Sequence, residues 1–161
     1  MNESEEALTN YMQQMIMLLR QMNKQNSPQW TYLGKEDFLL REGCWYKPQP
    51  LPAAYKLGII QRCFNNSLEL ALRENELRYV EGIAHAIIPI HHGWCTDGNG
   101  NVIEVTLREP ATAYIGFEVP IDPIAKALAK GTTLLDDWKC GWPIFRKPFK
   151  PYFRKPYGRR V

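Results

Sequence analysis

Histidine is scarce in this chain: three occur among 161 residues, and two of them, His91 and His92, are neighbours. The four cysteines, Cys44, Cys63, Cys95 and Cys140, include no C-x-x-C pair. Without ligands at zinc spacing, or cysteines in a recognised disulfide framework, no metal and no cofactor is called for, and reduced thiols in a cytoplasm are the expectation. No apolar run comes near the ~20 residues of a membrane-spanning helix, and no basic-plus-apolar signal segment opens the sequence, so no membrane contact is expected. There is room for one hydrophobic core and too little for two ordinary domains. Acid is missing altogether from Phe145 to Val161, which holds seven Lys or Arg. Without those seven, 13 basic residues would face 17 acids, and the formal charge would change from +3 to −4.

That final stretch, residues 145–161, is expected to be an extended basic aromatic tail outside the core. Phe-Arg-Lys-Pro occurs in it twice, at Phe145 and Phe153, and Phe149, Tyr152 and Tyr157 alternate with cations. Arg146, Lys147, Lys150, Arg154, Lys155, Arg159 and Arg160 are its candidate polyanion-binding residues, suited to weak, salt-sensitive contact with phosphates while the rings stack on unpaired bases. A solvated proline-rich extension with no ligand is the plainer reading. At the other end, residues 1–27 form an amphipathic helix over Glu5 to Lys24, with Leu8, Tyr11, Met12, Met15, Leu18, Leu19 and Met22 near helical spacing and a stop before Ser27-Pro28. Its stripe packs on the domain or on a second copy of the chain, which would make a homodimer.

Between these ends, residues 28–144 read as a helix-plus-antiparallel-sheet domain of the α+β class. Gly34 to Gly58, interrupted by Pro48, Pro50 and Pro52, is expected to be an irregular extended arm. A helix follows over Arg62 to Arg73 with Cys63 at its start. Strands are expected at Leu77 to Ala86, with a bulge at Glu81-Gly82, at Ala86 to Thr96, at Asn101 to Leu107 and at Tyr114 to Val119, before a helix over Asp122 to Lys130 that Gly131 stops.

One thiol, one imidazole and one acid stand out because each has a context suited to nucleophilic chemistry. Cys63 opens a helix, His92 lies in a strand, and Glu104 lies in the return strand across Asp97-Gly98-Asn99-Gly100. A thiol at a helix start beside an imidazole is the arrangement a cysteine nucleophile needs to ionise near neutral pH. Strand residues alternate faces, so a three-residue loop at Asp97 to Asn99 sets His92 opposite Glu104. A five-residue loop at Asp97 to Asn101 sets Glu104 opposite Trp94 and diagonal to His92. Either register puts acid and imidazole on one face; a two-residue turn at Asp97-Gly98 or Asn99-Gly100 would separate them. His91 competes for the base role but falls on the other face, with Pro89 and Cys95. Cys63 can equally be a small buried hydrophobe beside Phe64 and Leu68.

The segments Cys63-Phe64-Asn65-Asn66-Ser67, Tyr79-Val80-Glu81-Gly82, His92-Gly93-Trp94 and Gly100-Asn101-Val102-Ile103-Glu104-Val105-Thr106 resemble the transglutaminase-like branch of the papain-like cysteine hydrolases. The resemblance covers roughly Gly34 to Pro120 and extends to small bacterial and phage proteins of that type. It implies a papain-like core, with Cys63 as nucleophile, His92 as general base and Glu104 as the orienting acid, where aspartate is usual and the extra methylene adds about a bond length of reach. The activity implied is acyl transfer from a peptide or other amide substrate to water or to an amine. Gln61, by proximity, and Asn66, one helical turn after Cys63, are candidate oxyanion or site-support residues. A binding protein with an inert cysteine, using its cleft or apolar stripe, or a nucleic-acid-associated factor acting through the basic tail, are the alternatives.

Overall fold

The computed structural model describes residues 1–22 and 30–161. The chain begins with α1 (Glu3–Met22), whose start is closed by a reciprocal cap. Asn2 Oδ1 accepts from the Glu5 N–H at 2.9 Å, and Glu5 Oε2 accepts from the Asn2 N–H at 3.1 Å. Leu8, Met12 and Ile16 form its buried stripe against α2 (Lys35–Glu42) and the sheet. The helix is therefore part of the core, and the predicted stripe is corrected at its far end, where Leu18 and Met22 are exposed and Ile16 is inside. The predicted stop at Ser27-Pro28 lies outside the described residues.

The expected arm between Gly34 and Gly58 is corrected as well, since α2 and the short strand β1 (Cys44–Tyr46) occupy it. Phe38 and Leu39 in α2 are completely buried. Next come α3 (Cys63–Arg73), β2 (Arg78–His85), β3 (Pro89–Thr96), β4 (Val102–Ile103), β5 (Ala113–Val119), α4 (Ile121–Ala129) and β6 (Arg159–Arg160). All named strand pairs are antiparallel, in the order β4-β3-β2-β5-β1-β6. A parallel bridge between Lys47 and Asn101 joins the end of β1 to the turn before β4, so the sheet curls back toward itself. The fold is α+β, with the Cys63 helix on an antiparallel sheet, as expected from the sequence.

The curl creates two apolar layers. Its outer face packs Tyr79, Ile83, Cys95, Ile115 and Phe117 under the helices, and its inner face holds Tyr46, Val80, Ala84, Trp94, Val102 and Tyr114. No bulge interrupts β2: Gly82 pairs regularly with His92 and Gly116. A Cβ at Gly82 would lie 2.0 Å from the Ile115 carbonyl oxygen, so glycine serves close approach of β2 and β5, not a register shift.

Residues 145–161 are not a separate tail. Phe145 is buried, and the Phe149 ring lies 5.0 Å from Phe38 and 5.6 Å from Phe117. The Arg78 guanidinium lies over the rings of Phe153 and Tyr157 at 4.1 and 3.6 Å and pairs with buried Glu118 at 2.6 Å. Strand β6 then pairs with β1, and Arg159 Nη2 donates to both carboxylate oxygens of Glu5 at 3.0 and 2.9 Å. Composition suggested a solvated extension because proline and cation dominate it; the aromatics between them anchor it. No helix among the described residues is long and apolar enough to cross a membrane.

Candidate active site

The β3–β4 turn decides where the acid goes. Asp97 Oδ1 accepts from the N–H groups of Asn99 and Asn101, each at 2.9 Å, and its Oδ2 accepts from Asn101 Nδ2 at 2.9 Å. This side-chain clamp selects the five-residue loop, with Thr96 opposite Val102 and Cys95 opposite Ile103. Carried one residue further, the register sets Glu104 beside Trp94 and diagonal to His92. Strand β4 is only two residues long, so Glu104 and Thr106 lie beyond it, shorter than the predicted Asn101 to Leu107. His92 Nε2 and Glu104 Oε2 are 2.8 Å apart and both groups are buried.

Glu104 is saturated with donors. Its Oε2 also accepts from the Tyr114 hydroxyl at 3.0 Å, while Oε1 accepts from the N–H groups of Thr106 and Leu107 at 2.9 and 3.0 Å. Burial alone would raise its pKa, but His92 and the two backbone donors outweigh burial and hold it below the usual carboxylate value. The glutamate side chain is therefore anchored at both oxygens. Tyr114 accepts in turn from the Ala111 N–H at 2.8 Å, so its proton is committed to the acid. Sequence reasoning missed Tyr114; its signal was strand parity, which puts it on the inner face with His92 through β2.

Cys63 reaches this pair around a sheet edge. Helix α3 packs on the outer face, where Ser67 Oγ donates to the Gly93 carbonyl at 2.9 Å and Cys95 Sγ to the Ser67 carbonyl at 3.1 Å. His92 points to the inner face. Strand β4 pairs only with Cys95 and Thr96, so the edge of β3 is free of β4 from Gly93 back toward Pro89, and the start of α3 lies against it. Gly93 permits the contact: a Cβ there would lie 2.9 Å from Phe64 Cδ1 and 3.3 Å from Phe64 Cα.

The Cys63 thiol stands beside the His92 imidazole and the backbone N–H groups of Gly93 and Phe64, all of which favour its charged form. With Nε2 committed to Glu104, the remaining ring nitrogen, Nδ1, serves the thiol. Burial opposes ionisation of Cys63, yet the hydrogen bond and charge of His92 and the two backbone donors bring its pKa below the ordinary thiol value. Burial likewise opposes charge on His92, but the neighbouring Cys63 thiol and the Glu104 carboxylate raise its pKa to about 9. Both directions favour a thiolate facing an imidazolium. The other cysteines differ: burial pushes Cys44 up to about 11 and raises Cys95 further, and all four are free thiols.

The two supporting candidates part company. Asn66 is buried and ties the two halves of the site together: its Oδ1 accepts from the Ile59 N–H at 3.2 Å, and its Nδ2 donates to the Ile59 carbonyl at 2.7 Å and to Thr106 Oγ1 at 2.9 Å. The loop before the thiol is thereby fixed to the loop after the acid. Gln61 is exposed in a left-handed conformation, φ 64°, and its side chain makes no hydrogen bond among the described residues. His91 lies on the outer face as expected, bonded through Nε2 to Glu81 Oε1 at 2.9 Å. Glu81 is fully buried and also accepts from the N–H groups of Leu134 and Leu135, so this pair fastens the segment after α4 to the sheet. Among the described residues no group of three His, Cys, Asp or Glu could hold a metal ion.

The seven cations of residues 145–161 are all exposed. Arg159 is bound to Glu5, and Arg146 lies 4.8 Å over Trp30 and donates to the Gly141 carbonyl. Lys147, Lys150, Arg154, Lys155 and Arg160 have no ion pair among the described residues.

No family model, curated protein or solved structure matches the chain. What the site can do chemically therefore rests on its own residues.

Proposed function

We propose that this protein is a cysteine-nucleophile acyl-transfer enzyme, transglutaminase-like or papain-like in its core, acting on a peptide or other amide-bearing substrate. The observation that carries the reading is the buried His92–Glu104 pair, 2.8 Å apart, with the Cys63 thiol beside the imidazole, the thiol's pKa lowered and the imidazole's raised. His92 takes the Cys63 proton, and the thiolate adds to the amide carbonyl. The C–N bond breaks as His92 returns that proton to the leaving amine, and a thioester remains on Cys63. Water or a second amine, deprotonated by His92, then attacks the thioester and restores the thiol. The N–H groups at the start of α3, where no side chain caps the helix, are the candidate donors for an oxyanion formed over the sulfur. Four free thiols suit a reducing compartment such as the cytoplasm.

The test is trapping. On mixing with p-nitrophenyl acetate, a burst of p-nitrophenol and an acetyl adduct mapped to Cys63 by mass spectrometry are expected, both absent in Cys63→Ala. A burst that survives in Cys63→Ala, or no adduct at any pH between 6 and 9, overturns the assignment.

A further inference from the structure

Bare apolar side chains gather on the two segments that deliver the thiol and the imidazole. Ile59 and Ile60, just ahead of Cys63, are 60% and 74% exposed. Ile87 and Ile88, at the tip of the hairpin from which β3 runs down to His92, are 98% and 65% exposed. Singly exposed hydrophobic residues need no explanation, but two adjacent pairs, one on the loop that leads into Cys63 and one on the hairpin that leads into His92, do.

The entry loop is held in place and is not loosely draped. Asn66 grips Ile59 at both its N–H and its carbonyl, the Gly58 N–H donates to the Val105 carbonyl at 2.7 Å, and the Arg62 N–H donates to the Ile59 carbonyl at 3.3 Å. Gln61 supplies the left-handed step that lets the chain turn from this loop into α3, a conformation uncommon for a residue with a side chain. Every one of these loop contacts is made by main chain or by Asn66, leaving the two isoleucine side chains free in water. At about 3.3 Å per residue, the Ile88 tip stands about 13 Å along the strand from His92, a span matched by four residues of extended peptide.

We infer that Cys63 acts on peptides with apolar residues flanking the attacked carbonyl, Ile59 and Ile60 receiving the side chain beside the thiol and Ile87 and Ile88 receiving those further along. This rests on the acyl-transfer reading and narrows its substrate. Binding energy gathered at the flanks positions the carbonyl over the sulfur, so the preference appears in the rate of Cys63 acylation or alkylation.

Two tetrapeptide vinyl sulfones, acetyl-Leu-Ala-Ala-Leu and acetyl-Ser-Ala-Ala-Ser, each long enough to reach both isoleucine pairs, test it by their second-order rates of addition to Cys63. Covering the leucyl side chains should favour the first by about tenfold over the same ratio on N-acetylcysteine. Ile59→Ser/Ile60→Ser should bring the ratio most of the way to the free-thiol value without altering the rate with iodoacetamide. Ile87→Ser/Ile88→Ser should lower it less. These side chains are outside the core, so both variants are expected to fold. A native leucyl preference no greater than on N-acetylcysteine, or one that survives both double variants, overturns the inference. So does acceleration by N-hexyl iodoacetamide with no leucyl preference, which would mark the surface as one for acyl chains. Slow labelling of Cys63 by iodoacetamide itself would defeat the catalytic reading, a separate failure.

Discussion

Replacing Glu104 by glutamine keeps the side chain's size and removes its charge, and the four donors around it leave the amide no good orientation. If the NH2 turns toward Thr106 and Leu107, it faces two N–H groups; if it turns the other way, it faces His92 Nε2–H and a Tyr114 hydroxyl whose acceptor side is already used by Ala111. His92 can escape the clash by moving its proton to the ring nitrogen facing Cys63, which then cannot accept the thiol proton. In the native protein the imidazole is raised to about 9 from an ordinary 6.5, equivalent to about 3 kcal/mol in favour of its charge. Cys63 and Glu104 share that effect, so losing the carboxylate should cost about 1–2 kcal/mol, about a five- to thirtyfold drop in the ion-paired state. The sign follows from the two shifts. Stabilisation by the raised His92 is complete below about 6.5 and is lost as pH climbs through about 9. Stabilisation by the lowered Cys63 is complete above its ordinary value and is lost as pH falls through its depressed one. The ion pair thus occupies the window between them, and Glu104→Gln should pull its upper limb down by about one pH unit. Iodoacetamide labelling of Cys63 across pH, read by mass spectrometry, gives the profile, and NMR titration of His92 gives the limb directly. A variant whose labelling profile overlays the native one would refute the reasoning and leave Glu104 a structural acid.

Three further outcomes are expected. Among the cysteines, Cys63 should label first, exposed Cys140 second, and Cys44 and Cys95 last, in a timed alkylation map; a lead by Cys140 would contradict the lowered thiol pKa. Gly93→Ala should push the start of α3 off the strand, cost about 1–3 kcal/mol in urea unfolding, and slow Cys63 labelling at pH 7 at least tenfold. Phe145→Ala should cost about 3–5 kcal/mol by the same unfolding assay, where a solvated tail would give a change near zero.

The site was more legible in the sequence than the periphery, for physical reasons. A strand has period two, so the shared face of His92 and Glu104 followed from counting once the loop length was known. The loop length was not legible, because Asp97-Gly98 and Asn99-Gly100 each advertise a tight turn and only the Asp97 carboxylate, satisfied by Asn99 and Asn101, settles the contest. Helix α2 was hidden because eight residues give little periodicity beside three conspicuous prolines. The Glu81-Gly82 pair looked like a bulge, when the glycine serves the close approach of β5 and the glutamate holds His91. Phe145 and Phe149 sit among cations and prolines, and composition cannot say which rings turn inward.

The stacking of Trp94 beneath His92 makes the site optically self-reporting. Their rings lie 6.3 Å apart and 20° from parallel, deep inside the curled sheet. A charged imidazole quenches a neighbouring indole far more than a neutral one does. Emission from Trp94 should therefore brighten as pH rises through about 9, and do so only while His92 carries the raised pKa. With the other four tryptophans, Trp30, Trp45, Trp138 and Trp142, replaced by phenylalanine, a fluorimeter would follow the protonation of the site in real time. On the proposed acyl-transfer reading, acylation of Cys63 removes one support of the imidazolium, and the same ring would register it as a gain of light.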